Sequence, residues 1–242
     1  MKYNINNIYY IIYIMSILLT GSAGLIGNYL KENLSDCYNI IELDFNNNPS
    51  VDATNENSVK SFFNSLENKK IKYIINCIGI PDAVPLKAEN ILDIDIDYFK
   101  KMVDINLNSV FIIIKECYRK YKDDLVHIIN ISSLYSLVSP RTDLYNGKIK
   151  NPAYTASKHG LIGLSKHLAV ILAKDNIKVN CIAPGGVHET INDKNFLKNY
   201  TNQVPLKTTI PLDEIFKTVE YLFNMNTITG QNIVIDGGYS II

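Results

Sequence analysis

Hydrophobic and polar positions follow two alternating rhythms along the chain. Short, nearly continuous apolar runs at Ile14–Leu19, Asn39–Leu43, Lys72–Cys77, Leu125–Ile131, Lys178–Ile182 and Asn232–Ile235 predict strands. Longer amphipathic stretches near 24–34, 56–67, 97–118, 153–174 and 212–223 predict helices between them. Unbroken apolar runs suit strands covered on both faces, which is the situation of a parallel sheet. Strand and helix in strict alternation imply βαβ units with right-handed crossovers, hence an α/β, doubly wound parallel sheet with helices on both faces.

No repeat, linker or break in composition divides the 242 residues. One domain is therefore expected over 14–242, preceded by an extension, 1–13, of no assigned role. The run Ile8–Leu19 is apolar enough to suggest an anchor, but a spanning helix needs about 20 apolar residues. This run stops at Thr20-Gly21 and continues into a glycine loop that makes sense only inside a fold. No membrane association is expected, and Met15, where the fold signal begins, is a candidate start.

Composition narrows the function. Lys+Arg 24 balances Asp+Glu 24, with a pI near 6.9, which excludes the basic excess of a nucleic-acid binder. Arg119 and Arg141 are the only arginines, so bidentate grips on phosphate or carboxylate are scarce. Cys37, Cys77, Cys117 and Cys181 lie too far apart for a zinc motif and read as thiols in a reducing cytoplasm. Asp93, Asp95 and Asp97 alternate with isoleucines and read as a solvated edge entering a helix N-cap. No metal site is predicted. The irregular segments Ile80–Asp95 and Ser139–Asn151 fall at strand ends, where open parallel sheets bind ligands.

Four groups of residues carry chemistry. After the first strand comes Thr20-Gly21-Ser22-Ala23-Gly24-Leu25-Ile26-Gly27 and then a helix. Glycines there tighten the turn and let a pyrophosphate approach the backbone, while the helix N-terminus supplies amide donors. Asp44 ends the second strand, where a carboxylate can bond the ribose hydroxyls of NAD and repel the 2′-phosphate of NADP. In Tyr154-Thr155-Ala156-Ser157-Lys158, tyrosine and lysine share a helical face, and an ammonium near a phenol favours the phenolate. Asn130-Ile131-Ser132-Ser133 ends a strand, where a hydroxyl could polarise a carbonyl.

This set resembles the short-chain dehydrogenase/reductase family, from Met15 onward. Asn76-Cys77-Ile78-Gly79 is similar to the family's NNAG motif, and Asp52 to its acidic residue near the adenine. Asn106 in NLNSVF is similar to the helical asparagine of the catalytic tetrad. Pro184-Gly185-Gly186-Val187 is similar to the motif lining the nicotinamide, and Gly230–Gly238 to the final strand. The resemblance implies a Rossmann-type fold and a catalytic set of Asn106, Ser133, Tyr154 and Lys158. Tyr154 would be the general acid/base, Lys158 would lower its pKa and bind the nicotinamide ribose, Ser133 would orient the substrate oxygen, and Asn106 would support a water reaching Lys158. Cofactor contacts would come from Gly21, Ser22, Gly24, Leu25, Ile26, Gly27, Asp44, Asp52, Asn76, Cys77, Ile78, Tyr154, Lys158, Pro184, Gly185 and Val187. The helix around Gly160–Leu172 would form a subunit interface in a homodimer or homotetramer.

Three departures qualify the resemblance. The glycines are spaced GxxGxxG, commoner in the family's extended members. Ser133 and Tyr154 are unusually far apart, so Ser139–Asn151 reads as an insertion beside the site. No threonine stands securely after the PG motif, where Glu189 and Thr190 occupy the place. His127 reads as structural, His159 and His167 as helix packing or surface, and His188 as a residue near a substrate loop. The expected activity is hydride transfer between NAD, less readily NADP, and a secondary alcohol or ketone, with a sugar derivative as the candidate substrate. The alternatives are an NAD-retaining sugar-nucleotide epimerase or dehydratase, and a non-catalytic dinucleotide-binding regulator. The short stretch after Lys158 leaves little room for a nucleotide-sugar domain.

Overall fold

A computed structural model of the chain describes residues 15–47, 50–67, 69–81, 90–145, 149–191 and 193–242. The expected extension 1–13 and half of the first irregular segment (82–89) therefore lie outside the described residues. Six strands, β1 (Ser16–Thr20), β2 (Asn39–Leu43), β3 (Ile71–Asn76), β4 (His127–Ile131), β5 (Lys178–Pro184) and β6 (Asn232–Ile235), form one parallel sheet in the order β2-β1-β3-β4-β5-β6. The helices are α1 (Leu25–Leu34), α2 (Glu56–Ser65), α3 (Ile96–Val103), α4 (Ser109–Tyr121), α5 (Pro152–Leu172), α6 (Lys194–Gln203) and α7 (Leu212–Asn224). This is the predicted doubly wound single domain.

The strands' period of two distributes their side chains between two cores. Leu18, Ile74, Ile128 and Val179 pack on one face against Phe63 of α2, Ile113 and Cys117 of α4 and Leu161 and Leu168 of α5. Ile17, Leu19, Ile75, Ile129 and Ile182 pack on the other against Leu30 and Leu34 of α1 and Ile215, Val219 and Leu222 of α7. That is why β1 reads as an unbroken apolar run: all five of its residues are buried.

A buried polar ladder crosses the sheet below its carboxyl edge. Thr20 Oγ1 donates to Asn76 Oδ1 (3.2 Å), Asn76 Nδ2 to Asn130 Oδ1 (2.7 Å), and Asn130 Nδ2 to Ser165 Oγ on α5 (2.8 Å). Asn76 pairs with both Thr20 and Asn130 in the strand register. A slip of one residue would leave these amides unbonded in an apolar layer, at a cost of roughly 1–3 kcal/mol for each stranded group.

Two elements differ from the sequence pattern. The helix expected over 97–118 is divided by a π-helical turn, Asp104–Asn108, between α3 and α4. Asp95 caps α3 by accepting from Asp97 N (2.8 Å), Asp93 closes a capping box with Asn90, and Asp97 pairs with Lys100. The second is α6, unpredicted because KNFLKNYTNQ is polar on most of its surface. Its signals were the Asp193 N-cap and the i, i+4 pair Phe196 and Tyr200. No helix among the described residues is long and apolar enough to cross a membrane.

Candidate active site

From β1 the chain turns outward to β2 and then returns to β3 on the other side of β1. The sheet reverses direction there, and the carboxyl ends of β1 and β3 open a crevice. Gly21, at φ +65°, makes the turn. A Cβ on Gly21 would stand 2.7 Å from Ile78 N, and one on Gly27 would stand 2.1 Å from Gly21 O. Both positions thus exclude side chains, which lets α1 start against the loop and aim its first amides into the crevice. Such a cradle fits a pyrophosphate.

Beyond it lies a cavity of about 680 Å³ lined by Gly21, Gly24, Asp44, Asp52, Cys77 and Ile78, among others. Asp44 accepts from Ala23 N (3.0 Å) and Asn46 N (2.8 Å), so the carboxylate also braces the glycine loop. A carboxylate has about four acceptor sites, which leaves capacity for ribose hydroxyls. Asp52 Oδ1 accepts from Thr54 N (2.9 Å) and Thr54 Oγ1 (2.7 Å) at the same cavity. The dimensions and donor set fit a dinucleotide.

Five of the expected cofactor contacts, Ser22, Leu25, Gly27, Asn76 and Lys158, line neither this cavity nor the next. Asn76 is 1 % exposed with its amide spent in the polar ladder. Ser22 is fully buried and accepts from Asn47 Nδ2 (3.0 Å), while Leu25 is exposed on α1 and lines neither this cavity nor the next. Ile26, Pro184, Gly185 and Val187 line a second cavity of about 480 Å³, together with Ser133 and Tyr154.

Of the expected tetrad, Ser133 and Tyr154 line the second cavity, while Asn106 and Lys158 lie behind Gly79, which lines the first. Lys158, one helical turn beyond Tyr154 on α5, is 5 % exposed, and its Nζ lies 5.9 Å from the centre of the Tyr154 ring. It donates to Ile131 O (3.0 Å). Burial pushes the ammonium down to about 8, partly offset by the thiols of Cys77 and Cys181; burial in turn pushes the Cys77 thiol up to about 12. The π turn rotates Asn106 fully inward. Its Oδ1 accepts from Ile80 N (2.8 Å), and its Nδ2 donates to Ile80 O (3.1 Å) and Ser157 Oγ (3.4 Å). A Cβ on Gly79 would lie 3.3 Å from Asn106 Oδ1 and 3.5 Å from Lys158 Nζ, so both groups converge on that glycine. Ser133, 8 % exposed, caps a 3-10 turn by accepting from Tyr135 N (3.2 Å).

The far wall of the second cavity is aromatic, and sequence reasoning missed it. Tyr135 meets the Tyr154 ring edge-on (6.5 Å between centroids), and its hydroxyl is 2.5 Å from that of Tyr145. Tyr145 packs on Phe196 (5.3 Å), which stacks on Tyr200 (6.1 Å), which stacks on Tyr239 (5.4 Å). Tyr200 OH accepts from Gly186 N (2.7 Å), tying α6 to the PG loop. The insertion docks here through a third cluster, Leu134, Leu144, Tyr200, Val204 and Tyr239. Gln203 Nε2 donates to Asp143 (3.3 Å), which also pairs with Arg141. Thr190 lines the cavity and Glu189 does not. His188 is exposed, with Nδ1 3.1 Å from Thr209 Oγ1, and does not line the cavity. His159 is exposed on α5 with Nδ1 3.0 Å from Thr155 O, and His127 is buried against Asn180.

Known proteins fit this geometry. Residues 23–240 match a family model described as enoyl-(acyl carrier protein) reductase. The chain is 30 % identical to carbonyl reductase family member 4 of Xenopus tropicalis, over 79 % of this chain and 77 % of that one. It is 29 % identical to 2-dehydro-3-deoxy-D-gluconate 5-dehydrogenase of Bacillus subtilis, over 92 % and 87 %. A short-chain dehydrogenase from Leptospira borgpetersenii with bound NAD+ superimposes with a TM-score of 0.85 at 29 % identity, covering 99 % of this chain and 97 % of that one. The chain belongs to the short-chain dehydrogenase/reductase family. It is an oxidoreductase with a Rossmann-type fold.

Proposed function

We propose that the protein transfers a hydride between NAD and a secondary alcohol or ketone, on a sugar derivative, with Tyr154 as general acid/base. One observation carries the reading: Ser133 and Tyr154 line one cavity, Lys158 Nζ lies 5.9 Å from the centre of the Tyr154 ring, and Lys158 and Asn106 both approach Gly79. The crevice residues Gly21, Gly24, Asp44, Asp52, Cys77 and Ile78 would hold the dinucleotide, with Ile26, Pro184, Gly185 and Val187 around its nicotinamide end. When bound, NAD supplies the carbon that accepts or gives the hydride.

The chain's own part is to orient and to move one proton. Ser133 Oγ donates to the substrate oxygen and fixes it beside Tyr154. Tyr154 gives a proton to that oxygen in reduction and takes it in oxidation. The Lys158 ammonium, held by Ile131 O, favours the phenolate that oxidation needs. Asn106 clamps the Ile80 peptide and so holds the end of β3 against Lys158. The Asp44 carboxylate, facing the ribose end with no cation in Phe45-Asn46, supports NAD over NADP. The gluconate-type relative supports a sugar-derived substrate. Phe111, Val170 and Ile171, exposed on α4 and α5, support a homodimer or homotetramer, and four free thiols support a cytoplasmic location.

Fluorescence titration with NADH and NADPH, followed by turnover on a panel of sugar alcohols and ketones, tests the reading. NADH is expected to bind more tightly, and Tyr154→Phe to retain NADH while losing turnover. Unchanged turnover in Tyr154→Phe overturns the assigned acid. Purified protein carrying stoichiometric NAD turns the reading toward an epimerase or dehydratase.

A further inference from the structure

Tyr200 stands where α6 meets the loop after β5, and its hydroxyl is only half used. The side chain is 2 % exposed, yet it lines the second cavity together with Ser133 and Tyr154. Its oxygen accepts from Gly186 N at 2.7 Å. A phenolic hydroxyl also has a proton to donate, and no atom of the described residues accepts it. The Asp236 carboxylate, close enough to act on Tyr200 electrostatically, takes its hydrogen bonds from Gly238 N (2.9 Å) and Ser240 N (2.8 Å). Burial pushes the phenol up to about 12 against a smaller opposing pull from the Gly186 amide, so the proton is present at neutral pH. A buried donor without an acceptor is disfavoured, and one kept at a cavity wall is satisfied by what enters the cavity.

The donor is also held in place. A Cβ on Gly185 would lie 2.9 Å from the Tyr200 hydroxyl, and one on Gly186 2.9 Å from the edge of its ring. These two glycines let the ring sit directly on the loop backbone, while Phe196 and Tyr239 stack on it at 6.1 and 5.4 Å. No rearrangement is then needed to meet a ligand. Tyr200 comes from α6, whereas Ser133 follows β4 and Tyr154 belongs to α5. A ligand whose reacting oxygen is held by Ser133 and Tyr154 therefore meets the Tyr200 donor with a different atom.

From this we infer that Tyr200 is a specificity-determining residue: its hydroxyl donates to a second oxygen of the substrate, and so selects alcohols and ketones that carry a further hydroxyl or carbonyl group, as polyols and ketols do. A compound lacking that oxygen leaves the buried donor unpaired and is rejected for that reason. The inference rests on the reading of the protein as an alcohol/ketone oxidoreductase and deepens it. Tyr200 takes no part in the proton or hydride transfer.

The test compares pairs that differ in oxygen content: 2,3-butanediol against 2-butanol and D-glucitol against 2-hexanol with NAD+ in excess, and acetoin against 2-butanone with NADH. Wild-type protein is expected to favour the oxygen-richer member in kcat/KM in at least one pair. Tyr200→Phe is expected to cut that ratio roughly three- to tenfold, chiefly through KM. Loss of the acceptor for Gly186 N disturbs both members alike and cancels in the ratio. Tyr239→Phe, which removes a hydrogen bond to Gln203 of α6 from outside the cavity, is expected to keep the ratio. NADH titration of each variant checks that the fold and the cofactor site persist. A ratio unchanged by Tyr200→Phe, or lowered equally by Tyr239→Phe, overturns the inference and leaves the oxidoreductase reading standing. Weaker NADH binding by Tyr200→Phe with the ratio unchanged assigns the donor to the cofactor and overturns it likewise. A wild type without preference in any pair overturns it whatever the fold of the variants. Turnover of no member by protein that binds NADH overturns both readings.

Discussion

Lys158 is buried for chemistry at the expense of stability, and the size of that expense follows from its surroundings. The side chain is 5 % exposed, and burial pushes its pKa from 10.5 down to about 8. A shift of this size corresponds to about 3 kcal/mol at 1.36 kcal/mol per unit. Below pH 8 the ammonium is charged in both folded and unfolded chains, and the folded protein bears the full penalty. Between pH 8 and 10.5 the unfolded chain still holds the proton that the folded one has released, so stability rises with pH from this group. Lys158→Met removes the titration. It also strands Ile131 O, whose donor at 3.0 Å is lost, at roughly 1–3 kcal/mol. At neutral pH the variant should therefore be as stable as wild type or about 2 kcal/mol more so. As pH climbs from 8 to 10.5, the variant should lose about 3 kcal/mol relative to wild type. Urea unfolding of cofactor-free protein, followed by circular dichroism at a series of pH values, measures the difference directly. Subtracting the variant removes the titration of thiols and other tyrosines common to both. A difference that stays flat across that window would refute the assignment of a desolvated ammonium.

Three further outcomes are expected. Gly27→Ala puts a Cβ 2.1 Å from Gly21 O, so α1 must move off the loop; NADH binding by fluorescence should weaken at least about tenfold, and stability should fall by about 1–3 kcal/mol. Tyr200→Phe keeps the ring stack but leaves Gly186 N without its acceptor, and calorimetry should show a loss of about 1–3 kcal/mol, a fall of several degrees in Tm. His127 is buried and neutral, its pKa pushed from 6.5 down to about 4 by burial and by Lys178. The unfolded chain binds the proton first as pH falls, so about 3 kcal/mol of stability should drain away between pH 6.5 and 4, and His127→Gln should flatten that part of the curve.

Most of the frame was legible in the sequence because its signals are local. β1 is apolar on both faces, the glycines sit directly behind it, and Tyr154 and Lys158 are one helical turn apart. What was not legible depended on distant pairing. Nothing near Asn76 indicates that its amide bonds Asn130 and Thr20, so the register-locking role of a residue in a cofactor-type motif was not legible. The aromatic wall unites Tyr135, Tyr145, Phe196, Tyr200 and Tyr239 from separate segments, and in sequence each is only an isolated ring. α6 escaped because its buried face is just a few side chains wide. The π turn escaped because no residue type demands one; it exists because Asn106 reaches the Ile80 peptide when the helix is wound wider there.

That wide turn is, in effect, a single-residue insertion tolerated within an otherwise regular rod. Excising one residue from Asp104–Asn108 would let α3 and α4 merge into one ordinary α-helix, a local gain in backbone geometry. Each residue advances an α-helix by about 100°, at 3.6 residues per turn, so the excision would swing Asn106 or its replacement away from Ile80. The clamp on β3 would be lost while the sheet, both cores and the glycine cradle remained. On the proposed reading, a chain so shortened would keep its nucleotide cradle and lose turnover, turning a catalyst into a ligand sensor by the loss of one amino acid.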